Sequence, residues 1–469
     1  MQHRLIWFRD DLRIADNAAL AAALEGADDS VQCSAVFLTA DREWAQFGYG
    51  ANRLYFTEQA LRSLAQSLAD LGIRFRVVRC DHFADQVRWI QDYCSQNQVD
   101  ALYFNHEYQI NERRRDHAVK TALEPDVKVL EFHDRILLPP GSVLTGDGRY
   151  YSVFSPFKRR WLSVYGESAS GPFRTPSPVG PPESIAQWSP LCESPESSAD
   201  GLAMSESNAW LALEEFVQNR LTQYEASRNS PAVAGTSRLS PYLARGLLSP
   251  RQCIQAAEQA MGRSIQEFSS DAFSWINELI WREFYHHLLV GFPRLSKNKA
   301  FKPETEALVW RNDPDEIHAW QSGMTGIPIV DAGMRELAAT GWMHNRVRMI
   351  VAQFLTKNLL VDWRVGEAHF MRYLWDADLA ANNGGWQWSA STGTDAAPYF
   401  RVFNPVSQGE AHDPETTYIT KWIPELASLP VKKRHTPWLS GGVSGYPAPL
   451  VDLKSTRARA IAAFKELSR

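Results

Sequence analysis

Four segments of the chain carry groups that bind, stack or exchange charge, at spacings a plain core does not need. The richest is Trp375–Asn404, WDADLAANNGGWQWSASTGTDAAPYFRVFN. Asp376 and Asp378 stand two apart and are followed by Asn382, Asn383, Gly384, Gly385, Trp386 and Trp388. Adjacent glycines let a backbone approach something flat or bulky. Two tryptophans at i,i+2 on a helix project in different directions, so one faces a buried group while the other faces a cleft. A helix C-cap followed by aromatic packing explains the glycines and one tryptophan. It leaves two aspartates, two asparagines and the second tryptophan without a reason.

The other three segments are weaker taken singly. In Ser274–Leu289, SWINELIWREFYHHLL, helical spacing sets Trp275, Glu278 and Arg282 on one face, with Trp281 at its edge. Alone, this reads as an amphipathic helix with a Glu278–Arg282 i,i+4 ion pair. In Thr340–Met349, TGWMHNRVRM, Asn345 and Met349 share a face, while Arg346 and Arg348 point to different sides. Such a pair serves two partners, for instance a phosphate outside and a carboxylate inside; alone, it is a basic surface helix. Pro231–Arg251, PAVAGTSRLSPYLARGLLSPR, offers the hydroxyls and N–H groups of Gly235–Ser240 at an expected helix start, either a phosphate seat or an ordinary N-cap. Hydrolysis is excluded early, since GxSxG and HExxH are absent and the 12 histidines are dispersed. Neither GxGxxG after the first strand nor GxxxxGK[ST] occurs, so any nucleotide is held in another manner.

The elements that position these groups fall into two parts. Apolar runs at Leu5–Phe8, Val31–Leu38, Ile73–Val78, Ala101–Phe104 and Val127–Phe132 alternate with helical stretches, the longest Asn52–Leu71 closed by Gly72. Strands separated by helices of that size predict a doubly wound parallel α/β domain over residues 1–135. Residues 139–205 hold most of the Pro/Ser/Gly punctuation, which predicts a long linker (136–206) that buries little apolar surface. From about Asn208 the pattern is helical, at 208–227, 249–262, 270–290, 327–339, 343–361 and 366–374, giving an all-helical domain over 207–469. That part holds the aromatic excess: 14 of the 17 tryptophans follow residue 160.

Bulk composition agrees with two large units in 469 residues, 22% charged and 44% hydrophobic. No apolar run is long enough to span a bilayer, and MQHRLIWFRDDLR carries charges where a signal peptide needs an apolar run. The five scattered cysteines show no CxxC, so neither a disulfide framework nor a zinc site is indicated, and a reduced, cytoplasmic protein is expected. A net charge of −5 argues against a nucleic-acid coat but leaves room for a local basic groove.

Taken in order, WFRDDLRIADN (Trp7–Asn17), GTSRLS, WINELIWREFY, TGWMHNR and DADLAANNGGWQWSASTGTDAAPYFRVFNP resemble the photolyase/cryptochrome family, and most nearly its class I enzymes for cyclobutane pyrimidine dimers. The resemblance runs to FNPVSQGE (Phe403–Glu410) and so covers nearly the whole chain. It implies a U-shaped FAD in the helical domain, with phosphates on Thr236, Ser237, Arg238, Leu239 and Ser240 and near Tyr224. Trp275, Arg282, Asn345 and Arg348 would line it, with Asp376 paired to Arg348, Asp378 near the flavin ring and Asn382 opposite flavin N5. A lesion pocket would use Glu278, Trp281, Asn345, Met349 and Trp388, with Arg228, Arg346, Arg401 and Gln408 at the DNA. The excited reduced flavin would donate an electron to a flipped-out dimer, which splits and returns it, and a protonated Glu278 would donate to the dimer carbonyl. Trp386, Trp363 and Trp310 would form an electron chain from flavin to surface. Asn111, Glu112 and Lys297 match a folate antenna pocket, although Phe47 and Ser296 stand where a histidine and a cysteine are common. Methenyltetrahydrofolate is the first choice, with a deazaflavin or no antenna as alternatives. The implied partner is UV-damaged DNA, met at the nucleoid by a monomer with no membrane contact. Two other readings compete. One is a cryptochrome-type sensor without repair, which favours an extended C-terminal tail. The other is a dark flavin oxidoreductase, for which no nicotinamide site is recognisable.

Overall fold

The computed structural model describes all residues except 1, 29, 169–171, 186, 199–201 and 468–469. Five strands, β1 (Gln2–Phe8), β2 (Val31–Leu38), β3 (Arg74–Val78), β4 (Ala101–Asn105) and β5 (Lys128–Phe132), form one sheet in the order β3-β2-β1-β4-β5. Every pairing is parallel, with Trp7 of β1 opposite Val36 and Phe104. β1 and β4 are buried on both faces, as a sheet covered by crossover helices demands. Helix α1 (Ala51–Asp70) covers one face and ends where Gly72 takes φ 77°. The chain order reverses between β1 and β4, so a crevice opens at the carboxyl ends of these strands, where Asp10 lies.

The segment after β5 departs from the expectation of a linker that buries little. Helix α2 (Phe154–Ser168) presents Phe154, Phe157 and Trp161, at 5%, 1% and 0% exposure, to the core. Full burial of a side chain the size of Phe157 contributes roughly 1.5–3 kcal/mol. The Trp161 indole N–H donates to Glu283 Oε1 at 2.7 Å, and the N–H groups of Leu137 and Leu138 donate to the same carboxylate at 2.9 Å each. One buried glutamate thereby ties this segment to the helical part. Parts of the 136–206 stretch, at 169–171, 186 and 199–201, lie outside the described residues.

The helical part contains α3 (Ser240–Arg245), α4 (Ser270–Gly291), α5 (Asn345–Gln353), α6 (Trp363–Tyr373), α7 (Leu379–Ala390) and α8 (Leu453–Glu466) among its helices. Two expected helices are interrupted. The 208–227 stretch breaks at Arg220 into Glu206–Asn219 and Tyr224–Ser227, and 343–361 leaves α-helical geometry in a π-turn at Phe354–Asn358. The apolar core divides into three clusters: one joining the sheet to α1, α2 and α4, a second around α5, α6 and α7, and a third on the sheet's other face around Trp7, Ile90 and Phe104. The site lies where the first two meet.

Candidate functional site

Three distant segments converge at one end of the site. In the loop before α3, Arg238 adopts φ 54° and its guanidinium lies 4.3 Å over the Trp342 ring. A Cβ at Gly235 would fall 2.5 Å from Ser227 Cβ, so only glycine lets this loop press on Tyr224–Ser227. The Ser240 hydroxyl donates to Asp376 Oδ2 at 2.6 Å. Arg348 grips both oxygens of that carboxylate, at 3.2 and 2.9 Å, and also donates through Nε to Met343 O. Asp376 thus locks the 236–240 loop to α5. Tyr224 packs buried against Phe216, which also carries the buried Trp275 at 5.0 Å.

At the other end, α7 begins on Asp378, whose Oδ1 caps the N–H of Ala381 at 3.1 Å. Burial raises this carboxyl, yet His286, Arg135 and Arg282 outweigh burial and hold it well below the usual carboxylate range. Arg135 Nη2 donates to its other oxygen at 2.9 Å. Arg282 is held by the carbonyls of Arg135, at 2.5 Å, and Leu243, at 3.2 Å. One turn along α7, Asn382 Nδ2 donates to the carbonyl of Glu367 on α6 at 2.9 Å. The Glu367 carboxyl accepts from Asn383 Nδ2, and burial pushes it up to about 7. Gly384 has a local reason: a Cβ there would lie 2.2 Å from Tyr285 Cε1 on α4.

The outer face of the site carries half-buried and exposed groups. Glu278 does not pair with Arg282; its partner is Arg228, Nη2 to Oε1 at 2.8 Å, with side chains 22% and 31% exposed. Burial raises the Glu278 carboxyl and Arg228 opposes the rise. Trp281 stacks face to face on Phe154 at 3.6 Å. Arg346 turns its guanidinium to Asn229 Oδ1, at 2.6 Å from Nη2, while Arg348 turns inward, as their offset predicts. Met349 and Trp388 are half-buried and Asn345 is exposed, as is Arg401; Gln408 is half-buried.

Trp386 lies in the second core cluster at 2% exposure. It meets Phe370 at 5.0 Å and Trp320 at 6.0 Å. A Cβ at Gly366 would lie 2.1 Å from its ring, so α6 approaches it through that glycine. Trp363 is buried in the same cluster, and the half-buried Trp310 packs at its edge, 6.4 Å from Phe464.

The residues matched to an antenna pocket are more dispersed. Glu112 is buried and lines a cavity at the carboxyl ends of the strands with Arg9, Trp44, Tyr49, Arg53 and Arg115. Burial and the neighbouring Glu107 push its carboxyl up to about 7. Asn111 is half-buried, whereas Lys297 and Phe47 are exposed. The Ser296 hydroxyl oxygen is buried without a partner.

Three residues outside the expected set hold named ones in place, Arg135 at Asp378, Glu367 at Asn382 and Asn229 at Arg346, and a fourth, Glu283, fixes the segment after β5. Only Glu283 stood inside a recognised segment, one residue after Arg282. No local spacing points to the others.

Comparison with known proteins agrees with this layout. Residues 275–466 match the FAD binding domain of DNA photolyase, and residues 4–181 match DNA photolyase. The deoxyribodipyrimidine photo-lyase of Escherichia coli (strain K12) is 44% identical over 477 residues, covering 99% of both chains. That of Vibrio cholerae is 41% identical, covering 98% of this chain and 99% of its own. Among solved structures, a bacterial class III photolyase from Agrobacterium tumefaciens superposes with a TM-score of 0.89 at 34% identity, covering 100% of this chain and 98% of its own. A Synechocystis sp. PCC6803 cryptochrome gives 0.88 at 28% identity, covering 99% of each.

Proposed function

The chain belongs to the DNA photolyase family, and from that premise we infer that it is a flavoenzyme that splits cyclobutane pyrimidine dimers in DNA under light. The observation that carries this is full-length identity of 44% with an enzyme named for that reaction. The chain's similarity to a cryptochrome is lower, at 28%.

The residues present fit FAD. One end offers hydroxyls and the Arg238 guanidinium for a pyrophosphate, and the other offers Asp378 and Asn382 for the hydrogen-bonding edge of a flat ring, with Trp275, Arg282, Asn345 and the Asp376-paired Arg348 alongside. Thr236, Ser237, Leu239 and Tyr224 complete the phosphate end in this reading. Bound and reduced, FAD supplies an electron donor that light excites. The chain supplies the rest. A damaged base pair stacks poorly, so flipping it into the cleft costs less than flipping an intact one. Trp281, braced from behind by Phe154, and Trp388 offer apolar walls, each stacking contact being worth on the order of 1–3 kcal/mol. Asn345 and Met349 shape the floor, and Arg228, Arg346, Arg401 and Gln408 meet the DNA backbone. Glu278, when protonated, donates to the dimer carbonyl as negative charge develops there. Arg228 holds the anionic form in the absence of DNA, and a phosphate that draws Arg228 away releases Glu278 to take up a proton.

Trp386, Trp363 and Trp310 conduct electrons to the oxidised flavin from the surface. Asn111, Glu112 and Lys297 are assigned to an antenna, methenyltetrahydrofolate. The protein is assigned as a cytoplasmic monomer working at the nucleoid; among the described residues no helix is long and apolar enough to cross a membrane.

The test is illumination of the flavin-reduced protein with an oligonucleotide carrying one thymine dimer. Restored thymines are the expected result. Intact dimers after verified flavin reduction and binding would return the protein to the sensor reading.

A further inference from the structure

Asp378 is held from behind by residues of the other domain. Arg135, in the segment after β5, bridges two carboxylates: Nη2 to Asp378 Oδ2 and Nη1 to Asp10 Oδ2, both at 2.9 Å. Asp10 lies just past β1, at the sheet's switch point. It also receives Arg245 Nη1 at 2.6 Å and lies 3.5 Å from Arg53 Nη2. The same two arginines donate to the carbonyl of Ala377, the residue before Asp378, at 2.9 and 3.3 Å. Arg282 in turn holds the Arg135 backbone. Both the Asp378 side chain and the peptide that leads into it are therefore positioned by groups outside α7.

The charge count of this group is unequal. Four guanidiniums (Arg53, Arg135, Arg245 and Arg282) meet two carboxylates directly, Asp10 and Asp378, and all but Arg282 and Asp10 are below 9% exposed. Two further acids act on the group: Glu107 faces Arg135 but is paired with Arg115 at 2.8 Å, and Glu283 faces Arg282 but is pushed up to about 7 by burial, so neither cancels a full charge. Burial, together with Arg53 and Arg135, pulls Arg245 down to about 10, which leaves it charged at neutral pH and shows the cations crowding one another. An interdomain staple alone is satisfied by matched pairs, because each unmatched buried charge adds a desolvation cost. An excess of cations behind Asp378 is instead useful to a neighbour that gains negative charge.

We propose that the Asp10–Arg135–Asp378 bridge sets the redox equilibrium of the flavin: its net positive field favours the reduced ring, and Arg135 and Asp10 are positioning residues in it. The proposal rests on the reading that Asp378 sits at the flavin ring. Each added electron is stabilised by the arginines, while Asp378 supplies a fixed acceptor whose own charge Arg135 offsets. The α/β domain thereby acts on flavin chemistry through one salt bridge.

The experiment is dye-equilibrated reduction of the purified holoprotein in the dark, without DNA, followed by flavin absorbance. Arg135→Gln removes a cation and is expected to shift the oxidised/reduced equilibrium at least tenfold toward oxidised, about 30 mV for a two-electron couple. Asp10→Asn and Asp378→Asn each remove an anion and shift it the opposite way, and Arg135→Lys restores most of the wild-type value. Opposite signs separate a field from loosened structure, which moves every variant the same way. An Asp378→Asn shift with Arg135→Gln and Asp10→Asn unchanged within twofold overturns the bridge and keeps Asp378 at the flavin. If Asp378→Asn binds FAD with an unchanged equilibrium, the Asp378 reading itself fails and the bridge falls with it. Thermal melts of each holoprotein identify a variant that does not fold; the near-isosteric Asp10→Asn then decides alone.

Discussion

Replacing Arg228 by methionine is expected to move Glu278 toward its acid form. The two side chains meet at 2.8 Å, and Glu225 also draws on the guanidinium from 4.0 Å. Coulomb's law gives about 1.5 kcal/mol for this separation in bulk water and about four times that at an effective dielectric of 20. Partial solvent access, the entropy of two long side chains and the competing Glu225 bring the net to about 1.5 kcal/mol. That is roughly a tenfold change in the protonation equilibrium. The sign follows from burial, which already raises the Glu278 carboxyl while Arg228 opposes it; removing Arg228 removes the opposition. The protonated form is then kept to higher pH. Infrared difference spectra of DNA-free protein against Glu278→Gln report the protonated carbonyl directly as pH rises. In Arg228→Met the signal should vanish about one pH unit later than in wild type. Superimposable titrations would refute the reasoning, because an ion pair with no hold on the Glu278 proton cannot gate it.

Trp310→Phe should block photoreduction of oxidised flavin and spare repair by prereduced enzyme, since Trp310 alone of the three tryptophans lies at the edge of the cluster; unimpaired photoreduction ends the conduit reading. Gly366→Ala places a methyl 2.1 Å from the Trp386 ring, so it should cost about 1–3 kcal/mol in denaturant unfolding and slow photoreduction by displacing that ring. Glu367→Gln should flatten the pH dependence of stability. Burial lifts this carboxyl from 4.5 to about 7, so the unfolded chain ionises first and stability falls as pH rises across that window. The contribution is roughly 3 kcal/mol. Melting curves at pH 5 and 8 should therefore converge in the variant, and an unchanged difference between them would discount the buried acid.

The sheet was legible because a strand buried on both faces is an uninterrupted apolar run bounded by turns, as in β4, where Ala101–Phe104 is such a run, and because β2 keeps its strand period over Val31–Leu38 despite Gln32 and Ser34. Helix α1 was legible from its period and from Gly72. The segment after β5 was misread for a reason in its composition. Phe154, Phe157 and Trp161 sit at i, i+3 and i+7, a helical stripe, but the prolines and serines that follow dominate any average over 139–205. The π-turn at Phe354–Asn358 was invisible because an apolar period does not distinguish i→i+4 from i→i+5 bonding. Its buried Lys357 donates to Ala390 O and Ser391 Oγ, partners more than 30 residues away.

Within the site, spacing told which way a side chain points and failed to tell what it meets. The two tryptophans of α7 differ as i,i+2 requires, Trp386 buried in the core and Trp388 half-buried. The two arginines of α5 diverge in the same way, onto Asp376 and onto Asn229. Partners are set by tertiary packing. The i,i+4 rule offered Arg282 to Glu278, a pairing worth a few tenths of a kcal/mol on an exposed helix. In a buried setting that gain is outweighed by the carbonyls of Arg135 and Leu243, which would otherwise lie unpaired at a cost of about 1–3 kcal/mol each. Arg282 therefore goes to the carbonyls, and Glu278 is left for Arg228, fifty positions earlier in the chain. The same competition places Arg135 on Asp378, 243 residues away, and gives Asp10 of the WFRDDLR run a physical task. A buried charge takes the partner that leaves the fewest neighbours unpaired, and that choice belongs to the whole fold.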